Sequence, residues 1–479
     1  MKTKKRWLAL FTCVIMLCSI VLTGCGDQGA TNGTTPSDGA TNGSTPSDGA
    51  SNGTTPSDGA GNPSTPAPDD GNDMNEPDVT DATILVGNTA ATTGAFAAVG
   101  VPFNAGLEAA LKAYNDAGGF EGRTIELIHY DDGFDAAQGM TYTQTLVEDD
   151  QVFALVGHFG TNTVGATLDY LKSVGIPMMH AATGISTLYQ EHAMGKDACI
   201  FPVQPIYNAE GRVLLARAVA STENNIGLGG TKIGVIATTD DAGSGILAGI
   251  KRQLEEIDVE VVIQEVDPAA TDYTAAASVL KNAGCDVVIG AMNQAPFQNM
   301  MNSMRDIAYD AKVITSYVSA SAAFLGELVA SGAVTANRPV YTTSWLDIAT
   351  EQGAAELAEF MAVQLAWEAE QGISQADGYS LNSYAMAGYV AAKLFIHGLE
   401  QVETQGLELT WENYIAAAES VPYHIPMGGD IDFSDGARLG VTALSLNTIS
   451  LETNPDTGAY DLLTVSPIMS LDDVMAAVG

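Results

Sequence analysis

Residues 154–175 read ALVGHFGTNTVGATLDYLKSVG. An apolar run breaks at Gly157, and a histidine, an aromatic and three small polar residues follow. Val164, Leu168 and Leu171 then recur at helical spacing until Gly175 closes the segment. A short, unbroken apolar run is the mark of a strand buried on both faces, which means a parallel sheet covered by helices. The corner between strand and helix carries the chemistry. Thr161 and Thr163 sit where the strand stops, beside the unpaired N–H groups and positive end of the helix dipole. An anion is favoured there by roughly 0.3–1 kcal/mol, and by up to about 2 when partly buried. The plainer role for such a threonine is a helix cap.

The same alternation runs outward in both directions. ATILVGNTA, RTIELIHYDD, IPMMHAA, TKIGVIATTD, VEVVIQEV, CDVVIGAMN and AKVITSYV read as strands. PFNAGLEAALKAYNDAGG, AAQGMTYTQTLVEDD, GRVLLARAVAS, GILAGIKRQLEE, YTAAASVLKNAG, FQNMMNSMRDIAY and the stretch around LNSYAMAGYVAAKLFIHGLE read as helices. The spacing predicts α/β architecture with more units than one ordinary sheet accommodates. Two α/β lobes are expected.

The N-terminus addresses the chain. MKTKKRW is basic, LALFTCVIMLCSIVL is apolar and of signal-peptide length, and Leu22-Thr23-Gly24-Cys25 resembles the bacterial lipobox. Residues 1–24 are expected to leave, with Cys25 lipidated and the body tethered to the outer face of the cytoplasmic membrane. Residues 25–80 then carry TNGTTPSDGA, TNGSTPSDGA, SNGTTPSDGA and a degraded fourth copy. The repeat holds no aliphatic residue larger than alanine, so it cannot offset ordering entropy and reads as a spacer. Of the mature cysteines other than Cys25, Cys199 and Cys285 each adjoin an apolar run and read as small core residues rather than a bridge.

Acids outnumber bases 58 to 19, a formal net charge of −39. Nine of those acids and none of the bases fall in residues 26–80, so most of the excess belongs to the body. Such a charge argues against a phosphate-backbone partner, and nucleic-acid binding is not expected. The body has no G-x-S-x-G, Walker or H-E-x-x-H pattern, so no enzymatic role is read. His129, His180 and His192 lack ligand-like spacing, so neither metal nor cofactor is expected, and His158 reads as a structural histidine rather than a base.

The stretch TGAFAAVGVPFNAGLEAALKAYNDAGGFEGRTIELIHYDDGFDAAQG resembles the opening of the leucine/isoleucine/valine-binding protein family, the type I periplasmic binding proteins of ABC importers. The resemblance continues through ALVGHFGTNT, VGIPMMHAATG, IYNAEGR, IGVIATTDDAGSG, CDVVIGAMN and PMGGDIDFSDGARLG, over about residues 83 to 450. It implies two doubly wound Rossmann-like lobes joined by three crossovers, with a ligand cleft between them. Lobe I would take 81–204 and 344–424, and lobe II 205–343 and 425–479. Implied partners are a small organic solute and an ABC permease, with the chain monomeric. A ligand-sensing module for a membrane receptor or kinase is the alternative.

By the same resemblance Thr161, Ala182 and Thr183 match positions that hold the ligand's carboxylate. Tyr207 and Tyr317 stand where the family places groups around the ligand's ammonium, yet neither is a carboxylate. Two tyrosines donate hydrogen bonds without formal charge, which suits an amine-free acid or amide at least as well as an amino acid. Asp240 or Asp241 could supply an acid instead, and Ala242 stands in place of a cleft aromatic. Phe96, Val99, Met292 and Asn293 are expected to face the cleft, and Trp345 to line it or pack the hinge.

Overall fold

The computed structural model describes residues 82–478 apart from Ala376 and Asp456. The signal segment, Cys25 and the repeat spacer lie outside the described residues. The first sheet contains β1 (Thr83–Ala90), β2 (Thr124–Asp131), β3 (Ala154–Val156), β4 (Met178–Met179) and β5 (Ile200–Phe201). Its strands are all parallel, in the order β2-β1-β3-β4-β5. Helices α1 (Ala97–Asp116), α2 (Ala136–Gln144) and α3 (Thr161–Val174) connect them.

Helix α4 (Tyr207–Val219) carries the chain into a second lobe. There β6 (Lys232–Thr238), α5 (Asp241–Gln253), β7 (Glu260–Val266), α6 (Thr274–Ala283) and β8 (Val287–Ala291) follow in turn. Next come α7 (Gln294–Asp306), β9 (Lys312–Thr315), α8 (Ala322–Ala330) and β10 (Val340–Ser344). The parallel part is ordered β7-β6-β8-β9-β10, the first sheet's winding repeated five strands later. Helices α9 (Glu351–Gln371), α10 (Ser383–Gln405) and α11 (Trp411–Glu419) return to the first lobe, where α9 and α10 pack on α1. After the hairpin β11 (Tyr423–His424) and β12 (Asp430–Ile431), β13 (Leu444–Ile449) and β14 (Leu462–Met469) extend the second sheet antiparallel beyond β10. The chain thus passes between lobes three times, as expected of two doubly wound sheets. In such sheets ligands bind at the strand ends where the order reverses, here between β1 and β3 and between β6 and β8.

Each lobe is locked by a reciprocal pair of glycines. A Cβ on Gly106 of α1 would lie 1.9 Å from the Ala385 carbonyl oxygen, and one on Gly388 of α10 would lie 1.8 Å from that of Phe103. In the second lobe Gly211 of α4 and Gly249 of α5 stand the same way, 2.0 Å from the carbonyls of Ile246 and Asn208. Only hydrogen fits at these four positions, so the helices touch backbone to backbone.

Three local expectations are revised. Helix α1 begins five residues before Pro102, which lies inside it, and this early start brings Val99 onto the helix. The expected strand IPMMHAA is cut to two residues because His180 takes a left-handed backbone (φ 54°) that no strand continues through. The helix over residues 136–150 ends in a π turn at Thr145–Asp149. Cys199 and Cys285 are buried and free, and burial pushes the Cys199 thiol up to about 12.

Candidate functional site

A cavity of about 740 Å³, mouth included, opens between the two sets of strand ends. Four helices begin on its wall, and three of them, unlike α10 with its Asn382 cap, start without a side-chain cap. Thr161, Tyr207 and Gln294, the first residues of α3, α4 and α7, all line it. Helices α3 and α7 follow β3 and β8, the equivalent strands of the two repeated sheets. The residues before these three helices are Gly160, Ile206 and Asn293, and none caps its helix with a side chain. Thr161 is therefore the first helical residue rather than a cap. Its hydroxyl lies 3.0 Å from that of Thr183 and 3.3 Å from that of Tyr207. The Tyr207 hydroxyl also lies 3.5 Å from Asn293 Oδ1.

Tyr317 stacks beside Tyr207 with ring centroids 6.3 Å apart. Its buried hydroxyl has no hydrogen-bond partner. Burial pushes Tyr207 upward, and burial with Tyr207 and Glu210 nearby pushes Tyr317 well upward, so both phenols keep their protons and can donate. Among the described residues, no Asp, Glu, Lys, Arg or His lines the cavity. One side of the wall is aromatic and apolar: Phe96 stacks on Phe134 at 4.0 Å, beside Phe103, Phe159, Val99 and Trp345, while Gln204, Gln294, Ser344, Ser383 and Tyr384 add polar groups elsewhere.

Of the residues singled out in the sequence, Phe96, Val99, Thr161, Ala182, Tyr207, Asn293, Tyr317 and Trp345 come together on this wall. Thr183 stands one step behind, bracing Thr161 and accepting from the Ile185 N–H at 3.2 Å. Met292 does not face the cavity; it is buried in the second lobe's core, because successive residues at a strand end point to opposite sides. Asp240 is committed elsewhere, accepting from the Gly243 N–H (3.0 Å) and the Thr238 hydroxyl (2.7 Å) as the cap of α5. Neither it nor Asp241 lines the cavity. His158 is fully buried among Thr89, Thr143 and Thr167, with burial pushing it down to about 3, in keeping with a structural role.

Sequence reasoning missed Phe134, Gln294, Ser383 and Tyr384. The last two open α10 in the first lobe and reach across to the turn that follows β9. Ser383 donates to the Ala320 carbonyl (2.6 Å) and Tyr384 to that of Val318 (2.8 Å), while Gln294 donates to the Tyr384 hydroxyl (2.8 Å). Also missed was Glu210, one turn into α4 from Tyr207 and fully buried. It accepts from the Tyr317 N–H (2.8 Å), the Ser316 hydroxyl (2.7 Å) and the Thr343 hydroxyl. Burial raises its carboxyl to about 6 against the opposing pull of those hydrogen bonds.

A family model described as periplasmic binding protein matches residues 83–449. A Leu/Ile/Val-binding protein homolog 2 of Brucella abortus is 27% identical over 208 residues, 43% of this chain and 53% of its own length. The chain thus spans about half the length of that curated relative. Among solved structures, a fatty acid ABC transporter substrate-binding protein from Thermomonospora curvata superposes with a TM-score of 0.67 at 19% identity, covering 84% of this chain and 96% of its own. An R. palustris ABC transporter solute-binding protein in complex with benzoate gives 0.62 at 17% identity, covering 81% and 98%. The repeated winding, the three crossings, the cavity between the strand ends and the match along most of the body lead to one conclusion: the chain belongs to the periplasmic binding protein family.

Proposed function

We propose that this chain is a lipid-anchored, extracytoplasmic solute-binding protein that closes its lobes on an amine-free carboxylate with an apolar body and delivers it to an ABC permease. One observation carries the ligand class. Three helix N-termini without side-chain caps meet on a wall that, among the described residues, contains no charged side chain. Positive dipole ends attract an anion and repel an ammonium group, and no carboxylate lines the wall to reverse that preference. Thr161, Tyr207 and the unpaired Tyr317 hydroxyl hold the carboxylate, and Phe96, Val99, Phe103 and Trp345 pack the body. Fatty acid and benzoate, named for two proteins of this fold, are amine-free carboxylates and accord with the reading.

The test is a calorimetric and thermal-shift comparison of 4-methylpentanoate with leucine, and of 3-phenylpropanoate with phenylalanine. The amine-free member of a pair should bind and, at 100 times its Kd, add about 2.7 kcal/mol of stability. Thr161→Val, which removes one charge-assisted hydrogen bond of about 1.5–3 kcal/mol, should weaken it roughly 10- to 100-fold. Preference for the amino acid in both pairs overturns the reading.

Lobe closure gives the cross-lobe contacts of α10 a role. Ser383→Ala with Tyr384→Phe deletes three neutral hydrogen bonds, the one from Gln294 included, worth together about 1.5–4.5 kcal/mol, which lowers affinity roughly 10- to 2,000-fold. The loss should appear as faster dissociation in stopped flow, because bonds that tie the two lobes together oppose their opening. Loss confined to the association rate would show that they do not act as a latch.

A further inference from the structure

We propose that Gln294 is a specificity-determining residue of the cleft: its amide is locked with the oxygen toward the solute, and it selects a carboxylate that also bears a hydroxyl. The inference rests on the carboxylate reading above and deepens it to the solute's second polar group.

The lock follows from counting protons. The Tyr384 hydroxyl lies 2.8 Å from the Val318 carbonyl oxygen and 2.8 Å from the Gln294 amide. A carbonyl only accepts, so the single phenolic proton goes to Val318, and the end of the amide that faces Tyr384 is its NH₂. Burial raises the Tyr384 phenol, which therefore keeps that proton. The amide oxygen is thereby turned away from Tyr384. Among the described residues no donor reaches it, yet it is not sealed inside the protein. Gln294 lines the cavity and is 6% exposed, so the open side of this oxygen is the cavity.

Ser383 adds to the same preference. Its one proton goes to the Ala320 carbonyl at 2.6 Å, so toward a solute this cavity-lining hydroxyl offers lone pairs alone. The two poles of the cleft lie within one small molecule of each other. Asn293, the residue before Gln294, has its Oδ1 3.5 Å from the Tyr207 hydroxyl, and Tyr317 directly precedes Val318. A near-buried acceptor left open calls for a donor on the solute, because an unmet polar group is costly. An ammonium group is the wrong donor: Gln294 opens α7 at the positive end of its dipole, and no carboxylate stands on the wall. A ketone or second carboxylate would set acceptor against acceptor. A hydroxyl donates without charge, and its lone pairs suit the remaining amide N–H.

The test measures, by calorimetry on the full chain, the affinities of wild type, Gln294→Met and Tyr384→Phe for two series of acids. One is 3-phenylpropanoate with its 2-hydroxy, 2-oxo, 2-amino and 4-hydroxyphenyl relatives. The other is 4-methylpentanoate with its 2-hydroxy, 2-oxo and 2-amino relatives. Wild type should prefer at least one hydroxylated acid over its parent by about 3- to 10-fold, with the oxo acid no tighter than the parent. Gln294→Met keeps the side chain's length and removes the acceptor, so the hydroxy-to-parent ratio should fall to about one, whatever happens to the affinities themselves. Tyr384→Phe releases the amide to turn over, so the hydroxy-to-oxo ratio should shrink although Gln294 is still present. A general loss of packing would lower every affinity and leave both ratios alone. Wild type that binds the acids with no hydroxyl preference, or prefers an oxo acid, overturns the proposal while the carboxylate reading stands. So does a hydroxyl preference that survives Gln294→Met, and an unchanged hydroxy-to-oxo ratio in Tyr384→Phe overturns the lock. Tightest binding of the amino acid in both series, or binding of no member of either, overturns the carboxylate reading and the proposal together.

Discussion

Tyr207→Glu will weaken capture of an amine-free carboxylate by at least several hundredfold, the largest effect expected of any single substitution in the cleft. The Tyr207 hydroxyl lies 3.3 Å from Thr161 Oγ1, at the N-terminus of α3. A glutamate there places a second negative charge about 4 Å from the ligand's own. At an effective dielectric near 20 that repulsion is about 4 kcal/mol, beyond the lost hydrogen bond. Tyr207→Phe isolates the hydrogen bond and should cost only about tenfold. The glutamate variant should in turn gain affinity for the amino acid of each pair, since an ammonium group now finds a partner. Calorimetry on the two variants separates the terms. A Tyr207→Glu protein that binds 3-phenylpropanoate as wild type does would remove Tyr207 from the site.

The second large effect concerns stability and lies behind Tyr317. Glu210 has a carboxyl raised to about 6 from an ordinary 4.5, so the native state holds its proton more tightly than the unfolded chain does. Stability is therefore fullest below the unfolded value, falls as pH rises through 6, and levels off above it. The span corresponds to about 2 kcal/mol. Glu210→Gln keeps the shape and an oxygen for the Tyr317 N–H and Thr343 hydroxyl, and its amide can donate to Ser316 once that hydroxyl turns. The variant should lack this pH dependence. Relative to wild type its Tm should climb by about 2–3 °C between pH 4.5 and pH 7. A Tm difference that does not change with pH would mean that Glu210 is not the group titrating. Because Glu210 also fixes the Tyr317 backbone and reaches Thr343 on β10, it couples the cleft wall to the strand that leads into a crossing.

The alternation of strands and helices was readable because parallel strands buried on both faces write themselves as unbroken apolar runs. Thr161 and Asn293 were readable for a related reason, since each lies just beyond the end of such a run, whereas Ala182, Tyr207 and Tyr317 were reached through the resemblance to the binding-protein family. Phe134 escaped because DDGFDAAQG reads as a polar loop, and nothing local reveals a φ of 69° that carries its ring onto that of Phe96. Ser383 and Tyr384 were hidden inside a continuous helical pattern, and their partners lie more than 60 residues away in the other lobe. Glu210 gave no sign of burial, since an acid in the first turn of a helix ordinarily complements the dipole from the surface. His180 looked like a strand residue, and only its backbone angle shows otherwise. Such side chains depend on long-range packing, which a period of two or of 3.6 residues does not encode.

The reciprocal glycines have a practical reach. With α1 set against α10 and α4 against α5 at backbone contact, these two pairs have no slack, so on the proposed function closure would fall to the three connections between lobes. A donor and an acceptor fluorophore, one fixed to the outer face of each lobe, would then report a single angular coordinate. Their transfer efficiency would read solute occupancy directly, which makes this scaffold a ready optical gauge for the molecule it captures.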